Sequence, residues 1–281
     1  EAYIKSETHQ GITTIEFFHP QSNSLPGHLL NELAHSIQHA AVDPKTHVVI
    51  LKSAGTKAFC AGASFDELIS IKDLETGKVF FSGFAGVINA MRKAPKFVIA
   101  RVQGKAVGGG VGLASAADYT LALNNASVKL SELAVGIGPF VVGPAVERKI
   151  GISAFSQLSI DASNWRNSDW AKRKGLFAEL HPTIEAMDES IEKLVTTLSH
   201  SSPEAMAEMK KIFWKGKELL RVWFPVENLG GKESKSMIGI YFPLDDKHQN
   251  IEAVDFMGAL FSGYLFLLLS ISAITIYYSN S

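Results

Sequence analysis

Three consecutive glycines, Gly108, Gly109 and Gly110, stand between the apolar run "FVIARV" and a stretch of small residues, "VGLASAADY". Ordered glycine costs backbone entropy, so a run of three points to something that must approach the main chain closely. A phosphate cradle, an oxyanion hole and a tight packing corner all fit that description. The phosphate patterns fail on spacing: G-x-x-x-x-G-K-[ST] is absent, and G-x-G-x-x-G from Gly108 would need glycine where Leu113 stands. No G-x-S-x-G nucleophile elbow occurs either. What remains is backbone N–H groups at a helix start, where the dipole and unpaired donors favour negative charge. From the glycines alone, the oxyanion hole and the packing corner stand level.

The surrounding pattern sets the fold class. "YIKSETHQGITTIEFF" reads as a hairpin turning near His9-Gln10-Gly11. "NSLPGHLLNELAHSIQHAA" reads as a helix capped by Asn23 or Ser24, with Pro26 in its first turn. "HVVILKSAG" and "FVIARV" are buried strands, "GKVFFSGFAGVINAMRKAP" is a helix stopped by Pro95, and "YTLAL" is a further strand. "SSPEAMAEMKKIFW" is a helix with Ser202 as cap and Pro203 at its first position. Strands alternating with helices imply an α/β fold with largely parallel pairing.

Composition excludes more than it assigns. A formal net charge of -1 over 281 residues supplies no basic surface for nucleic acid. The one cysteine, Cys60, cannot form an internal disulfide and fits a reducing compartment, so a cytoplasmic location is expected. The chain begins at Glu1 rather than Met, and no signal peptide is visible. His28, His35 and His39 share a helix face, but with no carboxylate–histidine motif beside them they read as a solvated face rather than a metal site.

Two further stretches bear on the glycines. "KAFCAGASFDEL", residues 57–68, brings another small-residue loop, Ala61-Gly62-Ala63, into another helix. "VKLSELAVGIGPFVVGP", residues 128–144, sets Glu132 among apolar and small neighbours. Such surroundings disfavour the charged carboxylate and suit it to proton transfer near neutrality.

With "KAFCAGASFDEL", "VQGKAVGGGVGLASAADYTLA" and "LSELAVGIG" in this order, the chain resembles the crotonase superfamily, the enoyl-CoA hydratases and isomerases, from about Tyr3 to about Lys215. In motif it is most similar to the methylglutaconyl-type hydratases. The resemblance implies an α/β spiral of repeated ββα turns over 1–200, with a C-terminal helical segment beginning at 201–216, commonly assembled as trimers or hexamers. It implies that the N–H groups of Ala63 and Gly109 form the oxyanion hole, that Glu132 moves the proton, and that Ala61, Ala63, Ser64, Phe65, Asp66, Gly109 and Gly110 line an acyl-CoA substrate. Ser64 stands where the family commonly has Asp. Many family hydratases hold the attacking water between two glutamates, and the first of these positions is Gly112 here. Hydration of an enoyl-CoA is the first expectation, double-bond isomerisation by a single glutamate the alternative, and a non-catalytic acyl-CoA-binding scaffold the third. No metal or redox cofactor is implied; CoA enters as part of the substrate.

From 217 to 281 the resemblance stops. Residues 256–278, "FMGALFSGYLFLLLSISAITIYY", are uncharged and long enough to cross a bilayer core of ~30 Å. A membrane anchor is one reading. A fused or frame-shifted segment with no evolved role is favoured over it, because unmatched sequence begins well before the apolar run.

Overall fold

The computed structural model describes residues 1–214 in full, and the backbone of Leu219–Val226 and Ser236–Pro243, which form a separate two-stranded sheet. The expected apolar run at 256–278 lies outside the described residues. No helix among the described residues is long and apolar enough to cross a membrane.

A hairpin opens the chain. β1 (Tyr3–His9) pairs antiparallel with β2 (Ile12–Phe18), and Gln10 and Gly11 take positive φ at the turn. β2 alternates buried and half-buried residues, with Ile15 and Phe17 inside, as a sheet covered chiefly on one face requires. β3 (Ser24–Leu25) and α1 (Gly27–Val42) follow. The helix starts later than the sequence suggests. Pro26 is its N-cap, with no side-chain cap bond. Asn23 is instead a left-handed residue whose Nδ2 donates to the carbonyls of Ala54 and Ala58, while its Oδ1 accepts from His19 N–H. Its side chain ties three loop segments together, a tertiary role no local pattern announces. His28, His35 and His39 are exposed on α1, and no metal-holding cluster occurs among the described residues.

The body then repeats one unit: a strand in a large sheet, a strand in a small sheet, and a helix. β4 (Val48–Ser53), β5 (Ala58–Cys60) and, after the short β6 (Gly62–Ala63) and α2 (Phe65–Ile69), α3 (Leu74–Lys93) make the first. β7 (Phe97–Val102), β8 (Lys105–Val107) and α4 (Gly109–Ala116) make the second. β9 (Tyr119–Leu123), β10 (Ser127–Lys129) and α5 (Gly143–Ile160) make the third. β11 (Arg166–Asn167), α6 (Ser168–Arg173), β12 (Glu179–His181), α7 (Ile184–Ser199) and α8 (Pro203–Trp214) complete the described helical part. The large sheet runs β1-β2-β4-β7-β9-β12 and is parallel beyond its first pair; the small one runs β11-β10-β8-β5. This is the ββα spiral with a C-terminal helix.

The core follows from the strands. β7 is buried at five of its six positions, which is why "FVIARV" carries no alternation. One cluster, including Phe17, Leu33, Leu51, Phe59 and Met91, fills the space enclosed by the large sheet, α1 and α3. A second sits where Met187, Ile191 and Val195 of α7 and Met206 of α8 meet Val48, Phe97, Ile99 and Leu121. Ser202 caps α8 as expected, its Oγ accepting from Ala205 N–H at 3.2 Å.

Candidate active site

The glycine loop sits where β8 turns into α4. Gly108 has φ +50°, and its N–H donates to Lys129 O at 2.9 Å, anchoring the loop on β10. Gly109 and Gly110 open α4, so their N–H groups have no carbonyl one turn earlier to bond. Each glycine is required by a different neighbour. A Cβ at Gly109 would enter the ring of Phe84, and one at Gly110 would enter the carbonyl of Cys60. A Cβ at Gly108 would stand 3.2 Å from Oε1 of Glu132. Packing corner and presented N–H groups are therefore the same loop.

The second loop runs alongside. Gly62 has φ +92°, and a Cβ there would lie 3.1 Å from Val107 O and 3.6 Å from the Gly109 nitrogen. Ser24 Oγ donates to Ala63 O at 2.9 Å, fixing the peptide that follows Ala63. Beyond it Ser64 caps α2, with Oγ accepting from Glu67 N–H, and the Glu67 carboxylate accepts from Gly27 N–H at 2.9 and 3.1 Å.

Ala61, Ala63, Ser64, Phe65, Gly109 and Glu132 line one cavity of about 250 Å³. Asp66 does not: it is exposed in the first turn of α2, where a carboxylate complements the helix dipole. Gly110 is buried against Cys60, outside the lining. The motifs did not single out the hydrophobic wall formed by Phe80, Phe81 and Phe84 of α3 with Phe140 and Val142. The only local signal was the i, i+4 spacing of Phe80 and Phe84, which is also the signature of ordinary core.

Glu132 is the one ionisable side chain among the described residues of that lining. It directly precedes a short 3-10 turn, Leu133–Val135, and its carbonyl accepts the N–H groups of Val135 and Ile137. The residue as a whole is half-buried, but Oε2 is fully buried and has no hydrogen-bond partner. Burial therefore raises the carboxyl from its ordinary value of 4.5 to about 7, against a small opposing bond from its own N–H. Gly112, which is not among the described lining residues, is closed off by hydrocarbon. A Cβ there would meet Val142 Cγ1 at 2.5 Å and Ile88 Cδ1 at 3.3 Å.

Two backbone-lined loops and one buried carboxylate, set at the junction of a ββα spiral, define a crotonase-type enzyme. The family model described as "Enoyl-CoA hydratase/isomerase" matches residues 7–222. A carnitinyl-CoA dehydratase of Proteus mirabilis is 30% identical over 75% of this chain and 80% of its own length. A second, from Escherichia coli K12, is 30% identical over 72% and 76%. The solved enoyl-CoA hydratase of Mycobacterium smegmatis superposes with a TM-score of 0.70 at 28% identity, covering 75% of this chain and 82% of that one. The chain belongs to the enoyl-CoA hydratase/isomerase family.

Proposed function

We propose that this chain moves the double bond of a 3-enoyl-CoA thioester into conjugation, with Glu132 as the only proton carrier. The substrate carbonyl oxygen lies between the N–H groups of Ala63 and Gly109. Ionised Glu132 removes a proton from C2, and the electron pair moves onto the thioester oxygen as an enolate. Two fixed donors in a water-poor pocket stabilise that charge, and losing one such donor typically costs ~3–4 kcal/mol. The enolate then collapses as the protonated Glu132 delivers the same proton to C4, leaving the double bond between C2 and C3. Removal and return require one group that changes protonation state easily near neutrality, which a carboxyl raised to about 7 does.

The observation that carries this reading is that Glu132 is the one carboxylate among the described residues lining the cavity, while Gly112 lies outside that lining and is packed against Val142 and Ile88. Hydration also needs a water held in place, and a bound water wants two to four polar partners. Hydration is retained as the second reading because similar proteins are named hydratases and dehydratases. In it Glu132 deprotonates a water attacking C3 and returns the proton to C2. Absorbance of the conjugated enoyl thioester separates the two: a gain from 3-enoyl-CoA marks isomerisation, and a loss from 2-enoyl-CoA marks hydration. A homotrimer or hexamer, common in the family, belongs to the same proposal and is read by sedimentation.

The pH profile follows from the carboxyl. The free enzyme needs Glu132 ionised, so kcat/KM will rise with pH and level off above about 7. A flat profile from pH 5 to 9 would remove Glu132 from the role of base.

Gly112→Glu tests the filled seat. Alone it will destabilise the fold by ~1–3 kcal/mol, as overpacking does, and will add no hydration. Combined with Val142→Ala, which clears the hydrocarbon nearest the new Cβ, stability will recover in part and hydration of 2-enoyl-CoA will rise above the parent's. A stable single variant would show that the seat is open.

A further inference from the structure

We propose that Ser24 is a positioning residue for the oxyanion hole: aimed by a strained turn at 19–23, its hydroxyl fixes Ala63 and with it the spacing of the two N–H donors. This rests on the oxyanion reading above, which isomerisation and hydration share.

The first observation is the backbone before Ser24. Ser22 and Asn23 take φ +55° and +57°, two consecutive left-handed residues neither of which is glycine. Such a conformation is seldom adopted by residues with a side chain, and it persists only where the surroundings impose it. Here they do. Asn23 N–H donates to His19 O and Ser24 N–H to Gln21 O, both at 3.0 Å. The buried Asn23 side chain accepts from His19 N–H and donates to the carbonyls of Ala54 and Ala58. Ala58 begins β5, the strand that leads into Ala61-Gly62-Ala63. One side chain thus ties the strained turn to the root of the loop that carries a donor.

The turn delivers Ser24 into the cavity lining beside Gly62 and Ala63. β3 pairs with β6 in parallel, Ser24 opposite Gly62 and Leu25 opposite Ala63, in a sheet made of these two short strands. Two further bonds hold that register: Ser24 Oγ donates to Ala63 O at 2.9 Å, and Ser64 N–H donates to Leu25 O at 3.3 Å. Glu67 fastens the same two segments beyond them, its carboxylate accepting from Gly27 N–H. On its other flank β6 lies against the second donor, because a Cβ at Gly62 would stand 3.6 Å from the Gly109 nitrogen. β6 is therefore clasped between β3 and the glycine loop. Of these contacts the Ser24 bond is the one made by a side chain of the cavity lining. Oxyanion stabilisation depends on donors held where charge develops, so a looser clasp penalises the enolate more than the bound ground state.

The test follows acetoacetyl-CoA, a 3-oxo thioester whose enolate absorbs in the near ultraviolet, bound to the full 281-residue chain. Ser24→Ala will weaken enolate formation in the complex ~10-fold and lower kcat on enoyl thioesters by a similar factor. Binding of butanoyl-CoA, which is saturated and stays in its keto form, will remain within ~2-fold of the parent. Ser24→Thr keeps the hydroxyl on an extended strand and will recover most of the loss. An enolate signal in Ser24→Ala equal to the parent's overturns the assignment and leaves the oxyanion hole standing. So does a loss of butanoyl-CoA binding as large as the loss of enolate, which would make Ser24 a wall of the pocket only. A parent that enolises bound acetoacetyl-CoA no more than free solution does overturns the oxyanion reading, and the assignment with it. If Ser24→Ala does not fold, Ser24→Cys, close in size and a much weaker donor, is read in the same way.

Discussion

Glu132→Gln will lower kcat by about 10³-fold, on either the isomerase or the hydratase reading, while thioester binding stays within a few-fold of the parent. The size follows from the absence of a substitute. No other ionisable side chain among the described residues lines the cavity, so the amide leaves no group among them to carry the proton. The oxyanion N–H groups belong to the backbone and are untouched by the change. Stability will move the other way. The parent carboxyl is raised from 4.5 to about 7 in the folded state by burial. Between those values the folded chain binds more protons than the unfolded one, so stability contributed by this group falls as pH rises and is fully lost above about 7. Glutamine carries no such penalty. At pH 8 the variant will melt no lower than the parent, and near pH 4 the advantage will vanish. Retained activity, or a lower melting temperature at pH 8, would mean that Glu132 is a structural ion pair rather than the proton carrier.

How much of this was legible in the sequence depended on range. Local devices could be read directly: the Gln10-Gly11 turn, the unbroken apolar β7, the Ser202 cap of α8. The loops around Gly109 and Ala63 stood out because close backbone approach leaves glycine and alanine as its mark. What escaped was set by contacts between distant parts of the chain. Asn23 looks like a helix cap, and its side chain instead bonds Ala54 and Ala58, over thirty positions away. Gly112 was legible as a missing glutamate, but that Val142 and Ile88 occupy its space required coordinates. Phe80, Phe81 and Phe84 of α3 all line the cavity, Phe84 belonging to the core as well, and periodicity alone cannot say which side of such a wall is empty.

Asp118→Ala will destabilise the protein by about 3–5 kcal/mol, comparable with a substantial share of the 5–15 kcal/mol typical of a folded domain. Asp118 follows α4 directly, and its Oδ2 accepts from Val98 N–H at 2.8 Å and pairs with Lys210 Nζ at 2.9 Å. Both partners of that pair are nearly sealed from solvent, at 4% and 3% side-chain exposure. Lys149 and Arg148 crowd the same place; burial lowers both, Lys149 to about 8, and the charge of Asp118 opposes that fall. Removing Asp118 leaves Lys210 buried with the carbonyl of Lys96 as a hydrogen-bond acceptor, and leaves Arg148 to repel it. Lys210→Met is the informative comparison. It removes a cation from a cluster that has a surplus of them, so it will cost clearly less than Asp118→Ala, and adding it to Asp118→Ala will restore part of the loss. Urea midpoints at unchanged slope measure all three variants. The consequence reaches the site, because Arg148 and Thr120 hold the last carbonyls of the helix whose first N–H belongs to Gly109. Asp118→Ala will therefore weaken thioester binding as well as the fold, whereas equal additive losses in both single variants would show that the pair acts as an isolated salt bridge.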